Sequence, residues 1–206
     1  MDKSIWTDFN SFIRRNRKRF LVKQRPKVIW LTGLSGAGKT TNAVALEKAI
    51  QRKGYFTKIF DGDVIREGLN KDLGFTDEDR KENIRRIAEV TRIFMDSGLI
   101  VICSFISPNR EAREMARQII GEDKFIEVYI NCPLDVCEKR DVKGLYKRAR
   151  NGEIKNFTGI SSPYEAPENP DLEIRTDMHD LKETTRQLIK FILPKIRFKK
   201  RRFIIV

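Results

Sequence analysis

Short, strongly apolar runs alternate along this chain with longer stretches in which apolar residues recur every three or four positions. The runs 28–31, 55–60, 99–103 and 125–130 are β-branched, leucine-rich or aromatic and end on Gly or polar residues, which predicts buried strands. A last short strand is expected near 172–174. Between the first two runs, Ala43, Leu46, Ala49 and Ile50 lie on one helical face, with Gly54 as the stop. Thr76 to Asp79 is a capping signal for a long helix whose apolar side carries Ile84, Ile87, Ala88, Thr91, Phe94 and Met95 and which Gly98 ends. Further helices are expected at 111–120, 134–140, 145–150 and 181–193. Strand and helix alternating in this way predict an α/β domain of three layers, a mostly parallel central sheet with helices on its faces.

That domain is expected to span 27–196. Ahead of it, residues 1–26 place Ile5, Trp6, Phe9, Phe12 and Ile13 at helix-like spacing before the basic run Arg14, Arg15, Arg17, Lys18 and Arg19. This predicts a basic amphipathic helix, docked on its own domain or on a dimer mate. Behind it, residues 197–206 form a basic tail with an apolar end.

Composition narrows the chemistry. With 206 residues, 40% hydrophobic and 34% charged, the chain suits one domain able to enclose a site away from water. No apolar run approaches the roughly 20 residues of a membrane span, and the N-terminus lacks an apolar signal core, so a cytoplasmic protein with no membrane partner is expected. Cys103, Cys132 and Cys137 are odd in number and lack C-x-x-C spacing, which favours buried free thiols. His179 is the only histidine, so a Ser-His-Asp triad or a multi-histidine metal site cannot be assembled. Any general base is therefore a carboxylate, a lysine or a tyrosine. A formal charge of +13 implies attraction for anions, nucleotide or nucleic acid alike.

The first strand runs into the stretch that decides between these. Gly33, Gly38, Lys39 and Thr40 fit the pattern G-x-x-x-x-G-K-[ST], the P-loop, in which glycines let backbone N–H groups turn inward around phosphate oxygens. At average residue frequencies this pattern arises by accident in about one random chain of this length in a hundred, and here the required strand and helix flank it. Gly33, Ser35, Gly36, Ala37, Gly38, Lys39, Thr40 and Thr41 are thus candidates for ATP binding. Lys39 would reach the β- and γ-phosphates, Thr40 would offer a hydroxyl to Mg²⁺, and the helix start would aim its positive end at the anion.

Asp61-Gly62-Asp63 follows the second strand, where α/β sheets place their ligands. Paired acids around a glycine also make an ordinary turn, but a P-loop needs an acidic partner for the metal or the incoming nucleophile, and the other strand ends offer none. Arg80 and Asn83 share a helix face and could jointly hold an anion, or simply be solvated. Arg148 lies on a Lys/Arg-rich stretch where a kinase lid would supply cations to the transferring phosphate. Phe157, in a polar segment, reads equally as a ring stacked on a base or as a small satellite core.

Taken together, these stretches resemble the adenylylsulfate kinases. The resemblance runs from about residue 27 to the last helix and rests on Gly33-Leu-Ser-Gly-Ala-Gly-Lys-Thr, Asp61-Gly-Asp63 with Arg66, Asn70 to Phe75, Asp79-Arg80 with Asn83-Ile-Arg-Arg, Ser104-Phe-Ile-Ser-Pro108, Arg140-Asp-Val-Lys-Gly-Leu-Tyr146 and Phe157-Thr-Gly-Ile160. It implies phosphorylation of the 3′-hydroxyl of adenosine 5′-phosphosulfate (APS) by ATP. It also implies that Arg66, Arg80, Asn83, Ile106 with Ser107, and Lys143 hold the phosphosulfate nucleotide, with its adenine between Phe75 and Phe157. Ser107 matches the serine described in that family as a phosphorylated intermediate.

In-line transfer to a ribose hydroxyl needs positioning, Mg²⁺ and a carboxylate to take the proton. Direct transfer suffices, with Asp63 beside the acceptor hydroxyl, Asp61 toward the metal and Ser107 on the substrate. The family is commonly a homodimer, and with no sulfurylase domain attached only this second activation step is expected. The sequence departs from the family at Asn109, Asn156 and Ser161, where tyrosine, glycine and aspartate are frequent. Two rivals remain: a kinase for another anionic nucleotide, and a P-loop nucleic-acid ATPase or switch. Against a switch, Asn70-Lys71-Asp72-Leu73 lacks the final Asp of N-K-x-D.

Overall fold

The computed structural model describes residues 22–198. The expected amphipathic helix and basic tail therefore lie, except for residues 22–26 and 197–198, outside the described residues. The elements are β1 Val28–Thr32, α1 Lys39–Gln51, β2 Thr57–Asp61, α2 Gly62–Glu67, α3 Asp77–Asp96, β3 Ile100–Ser104, α4 Arg110–Ile120, β4 Phe125–Asn131, α5 Leu134–Arg140, α6 Leu145–Arg150, β5 Leu172–Arg175 and α7 Leu181–Ile196. All five strands are parallel, in the order β2-β3-β1-β4-β5.

β1 sits at the centre, and every one of its residues is buried because both sheet faces are covered. Ile29 and Leu31 join a core that includes Ala43, Leu46 and Ile50 of α1 and Leu188, Ile192 and Ile196 of α7. Val28 and Trp30 point the other way, into Ile84, Ile87, Ala88 and Met95 of α3 and Ala112, Ala116 and Ile120 of α4. Trp30 lies against Phe105 and Phe125 at 5.5 and 5.6 Å between ring centroids. The three predicted layers are present.

Two expectations change. The turn after β2 is the short helix α2, nucleated when Asp61 accepts the Asp63 backbone N–H at 3.1 Å; six residues are too few to show a helical period in sequence. The last helix passes through Pro194 instead of ending before it. Ile196 is fully buried and its carbonyl accepts the Arg25 N–H at 2.7 Å, so burial and tertiary bonding hold the turn that the proline weakens. The three cysteines are free and buried, as expected.

Gln24 joins the chain's entry to the sheet. Fully buried, it donates to the carbonyls of Phe56 and Gly98 at 2.9 and 2.7 Å and accepts the Phe56 N–H at 2.8 Å. Gln24→Ala leaves the Phe56 N–H and the Gly98 carbonyl without these partners, while the Phe56 carbonyl keeps the Ile100 N–H at 3.0 Å, so we expect a loss of about 2 kcal/mol and a melting temperature lower by roughly 4–8 °C. Thermal unfolding checks this, and a shift under about 2 °C contradicts it.

Candidate active site

The glycine loop leaves β1 at the middle of the sheet, where neighbouring strands diverge and α/β proteins hold their ligands. At Gly33 (φ +153°) an added Cβ would stand 2.4 Å from the Ile130 carbonyl oxygen of β4. At Gly36 (φ +73°) it would lie 3.1 Å from the Cys137 carbonyl. The loop's path thus excludes side chains at both positions. Gly38 starts α1 without a side-chain cap, leaving the N–H groups of its first turn, which includes Thr41, for a ligand.

Lys39 folds back over the loop, 9% exposed, and donates to the carbonyls of Gly33 and Leu34 at 3.0 and 2.7 Å. Burial strips water from its ammonium and pulls its pKa down to about 8, against the pull of the Asp61 and Asp63 carboxylates. Thr40 donates its hydroxyl to Asp61 at 2.7 Å and lies 3.2 Å from the Ser104 hydroxyl. Strand register brings the last two together, since Asp61 and Ser104 are paired at the ends of β2 and β3. Asp63, one turn further on, is ion-paired with Lys143 from the connection between α5 and α6.

A second group forms across α2 and α3. Arg66 lies 4.3 Å from the Phe75 ring centroid and donates to the carbonyls of Leu73 and Gly74. Arg80 donates to the Phe75 carbonyl at 3.1 Å, to the Thr158 hydroxyl and to the Asn156 carbonyl, tying the Phe75 and Phe157 segments to one side chain. All these partners are uncharged. Burial lowers the pKa of both arginines, and Arg80 lowers that of Arg66 further. Two half-buried guanidiniums with no carboxylate hydrogen-bonded to them, and only Asp79 and Asp77 acting through space, have the chemistry to receive a bulky anion. Asn83, on the Arg80 face of α3, is buried and accepts from Asn70 at 2.8 Å. Phe157 packs half-buried on the core, edge-on to Tyr146 at 5.0 Å.

Two sequence candidates stand apart. The Ser107 side chain is 3% exposed, and its hydroxyl accepts the Trp30 indole N–H at 3.1 Å, so it faces the core. With φ +39°, Ser107 is held by Arg113 donating to its carbonyl at 2.7 Å, while Thr32 donates to the half-buried Ile106 carbonyl at 2.8 Å. Arg113 is itself fixed by a buried ion pair with Glu127. Arg148 pairs with Glu153 at 3.2 Å.

The structure also adds residues that the sequence reading missed. Arg140 donates to the Thr176 carbonyl at 2.6 Å and reaches the Gly36 carbonyl at 3.4 Å. Thr176 donates to Ala37 at 2.8 Å, and Tyr146 donates to Ser35 at 2.9 Å. Arg140 and Tyr146 open and close the quoted motif at 140–146, which was their only signal; Thr176 had none. A charged cavity of about 440 Å³, lined in part by Arg113, Arg117, Glu127 and Asp171, includes no residue of the glycine loop.

The family described as adenylylsulphate kinase matches residues 25–175, well over half of the chain. The chain belongs to the adenylylsulfate kinase family. Among relatives, an adenylyl-sulfate kinase of Bacteroides fragilis is 52% identical over 195 residues, covering 95% of this chain and 96% of that protein. Among solved structures, the Mycobacterium tuberculosis APS kinase CysC, in complex with AMPPNP and APS, superposes with TM-score 0.79 at 44% identity, covering 82% of this chain and 98% of that one. A hexameric APS kinase from Thiobacillus denitrificans has TM-score 0.63 at 29% identity, covering 84% of this chain and 30% of that one.

Each of the three departures from the family pattern has a local role in the structure. Asn109 caps α4 by accepting the Ala112 N–H at 3.1 Å. Asn156 sits at φ +55°, a region asparagine tolerates when glycine is replaced. Ser161 accepts the Phe157 N–H at 2.9 Å, an acceptor role that an aspartate would also fill.

The lowered pKa of Lys39 gives a pH dependence. A triphosphate needs the protonated ammonium, so its binding is full below the free-state value of about 8 and weakens as pH rises through it. Bound phosphate pulls the pKa back up, so binding above that value takes up a proton. Titration calorimetry with a nucleoside triphosphate at about pH 7 and pH 9, in buffers of different ionisation heat, is expected to show weaker binding and proton uptake at the higher pH. Equal affinity without uptake contradicts it.

Proposed function

We propose that this kinase transfers the γ-phosphoryl group of ATP to the 3′-hydroxyl of APS, and that Asp63 is its general base. The observation that carries the reading is a continuous chain: the Thr40 hydroxyl bonds the Asp61 carboxylate, and that carboxylate holds the backbone of Asp63. The group that accepts a proton is thereby set beside the group that holds phosphate, while the arginine pair offers a place for a second, larger anion.

Lys39 and the loop N–H groups of Gly33 to Thr41 hold the triphosphate, and charge assistance makes each such contact stronger than a neutral one. The oxygens of Thr40, Asp61 and Ser104 suit Mg²⁺, a hard cation that takes few protein ligands and keeps room for phosphate and water. When bound there, Mg²⁺ neutralises charge on the phosphate oxygens. Arg66, Arg80 and Asn83 orient the phosphosulfate, and Phe75 and Phe157 flank the adenine.

Asp63 begins in an ion pair with Lys143. The arriving acceptor gives Lys143 a new anionic partner and releases the carboxylate toward the ribose. The 3′-oxygen then forms its bond to the γ-phosphorus as the bond to the β–γ bridging oxygen breaks. The proton passes to Asp63, and ADP leaves. Ser107, bonded to the indole, shapes the Ile106 loop against the substrate and carries no phosphate. Arg148 reaches the triphosphate once its lid segment gives up Glu153. The family resemblance supports a homodimer in the cytoplasm.

The test is an acceptor panel with Mg-ATP, following ADP. We expect turnover with APS, none with AMP, and no stimulation by RNA or DNA. Comparable rates with AMP would overturn the acceptor assignment. Asp63→Asn keeps size without basicity, so kcat is expected to fall about 10²–10⁴-fold with APS binding retained; a near-normal rate would remove Asp63 as base.

A further inference from the structure

Asn70 has no place in the reaction just described, yet it and Asn42 are the described residues whose buried side-chain oxygen lacks a partner. The Asn70 side chain is fully buried, and its Oδ1 has no hydrogen-bond partner. A leucine there would bury comparable volume and remove this orphaned acceptor, at the cost of taking the donor away from the buried Asn83 Oδ1. Its Nδ2 lies 2.8 Å from Oδ1 of Asn83 and 3.5 Å from the backbone carbonyl of Asn83. A carbonyl can only accept, so the Asn70 atom facing Asn83 is the nitrogen. The acceptor of the Asn83 amide is therefore occupied, which leaves its NH₂ as the group available elsewhere.

We infer that Asn70 is a positioning residue that fixes the Asn83 amide with its NH₂ donors toward the anionic end of the acceptor nucleotide, an inference that rests on the function proposed above. Asn83 follows Arg80 by three residues and shares its side of α3, so donor and guanidinium face one direction. An amide is ambivalent toward anions, since turning it over presents an oxygen and repels. Asn70 removes that ambivalence. It stands on the short α2–α3 connection, where its N–H donates to the Ile65 carbonyl at 3.0 Å and its carbonyl accepts from Leu73 at 3.2 Å. The same connection carries Phe75 and lies beside Arg66, so one loop sets the base-flanking ring and the amide orientation together.

Three variants test this in the full chain. Asn70→Asp places acceptors against Asn83, draws its NH₂ inward and turns its oxygen to the substrate. KM for APS is expected to rise by about tenfold or more, with KM for ATP and kcat within about twofold of wild type. Asn70→Leu removes the orphaned acceptor along with the positioning bond. One orphaned acceptor is exchanged for another, on Asn83, so the variant is expected to melt close to wild type and still to raise KM for APS several-fold. In an Asn83→Ala background, Asn70→Leu is expected to add no further loss, because the group it orients is gone.

A normal KM for APS in Asn70→Asp overturns the inference. So do additive losses in the double variant, or an Asn70→Leu protein that melts lower with both KM values raised alike. Wild-type protein that fails to turn over APS overturns the proposed function instead, which keeps the two failures apart.

Discussion

The structure turns on an ammonium held inside a loop that has no room for a side chain at Gly33. β1 ends in the middle of a parallel sheet, and the Ile130 carbonyl of β4 stands where a Cβ of Gly33 would be. The backbone can pass there only as glycine, and in passing it turns the carbonyls of Gly33 and Leu34 onto the Lys39 ammonium. Every other strand reaches the same loop. β2 and β3 send Asp61 and Ser104 to Thr40, and Thr176 after β5 bonds Ala37. From the lid side, Arg140 reaches Gly36 and Tyr146 bonds Ser35. The glycine loop is thus the point on which the sheet and the α5–α6 segment both converge.

Charge is distributed around that point in two unequal groups. The cost of burying Lys39 is partly offset by the carboxylates of Asp61 and Asp63 and by the two loop carbonyls it donates to. Arg66 and Arg80 are held by carbonyls, a hydroxyl and a phenyl face, with Asp79 and Asp77 acting on them only through space and no carboxylate hydrogen-bonded to either. Lys143 joins the Lys39 group through Asp63. Beneath them a rigid floor of Trp30, Ser107, Arg113 and Glu127 holds the left-handed backbone at Ser107, so a polar network in the core fixes a loop at the surface.

Much of this was legible in the chain. The strands declare themselves because β1 and its neighbours are buried on both faces and so read as continuous apolar runs. Thr76 caps α3 as its spacing predicts, its hydroxyl accepting the Asp79 N–H at 3.2 Å. What stayed hidden depends on contacts between distant segments. Nothing local says that the Ser107 hydroxyl is taken by an indole 77 positions earlier. Nor does any periodicity reveal that Arg148 turns to Glu153 while Arg140 faces the loop. Thr176 follows a four-residue edge strand and carries no motif; only the sheet order places it against Ala37. α2 escaped for a related reason, since a single capping aspartate makes it and its length carries no period.

The account's central claim is geometric: one sheet end holds a terminal phosphate on Lys39 and a ribose hydroxyl on Asp63 at the same time. A crystal structure of the chain with a non-hydrolysable ATP analogue, Mg²⁺ and APS tests it most directly. The expected result is the 3′-oxygen within hydrogen-bond distance of the Asp63 carboxylate, in line with the γ-phosphorus, and Lys143 moved onto the acceptor's anionic end. APS bound away from Arg66 and Arg80, or Asp63 still paired with Lys143 while both nucleotides are in place, would contradict it.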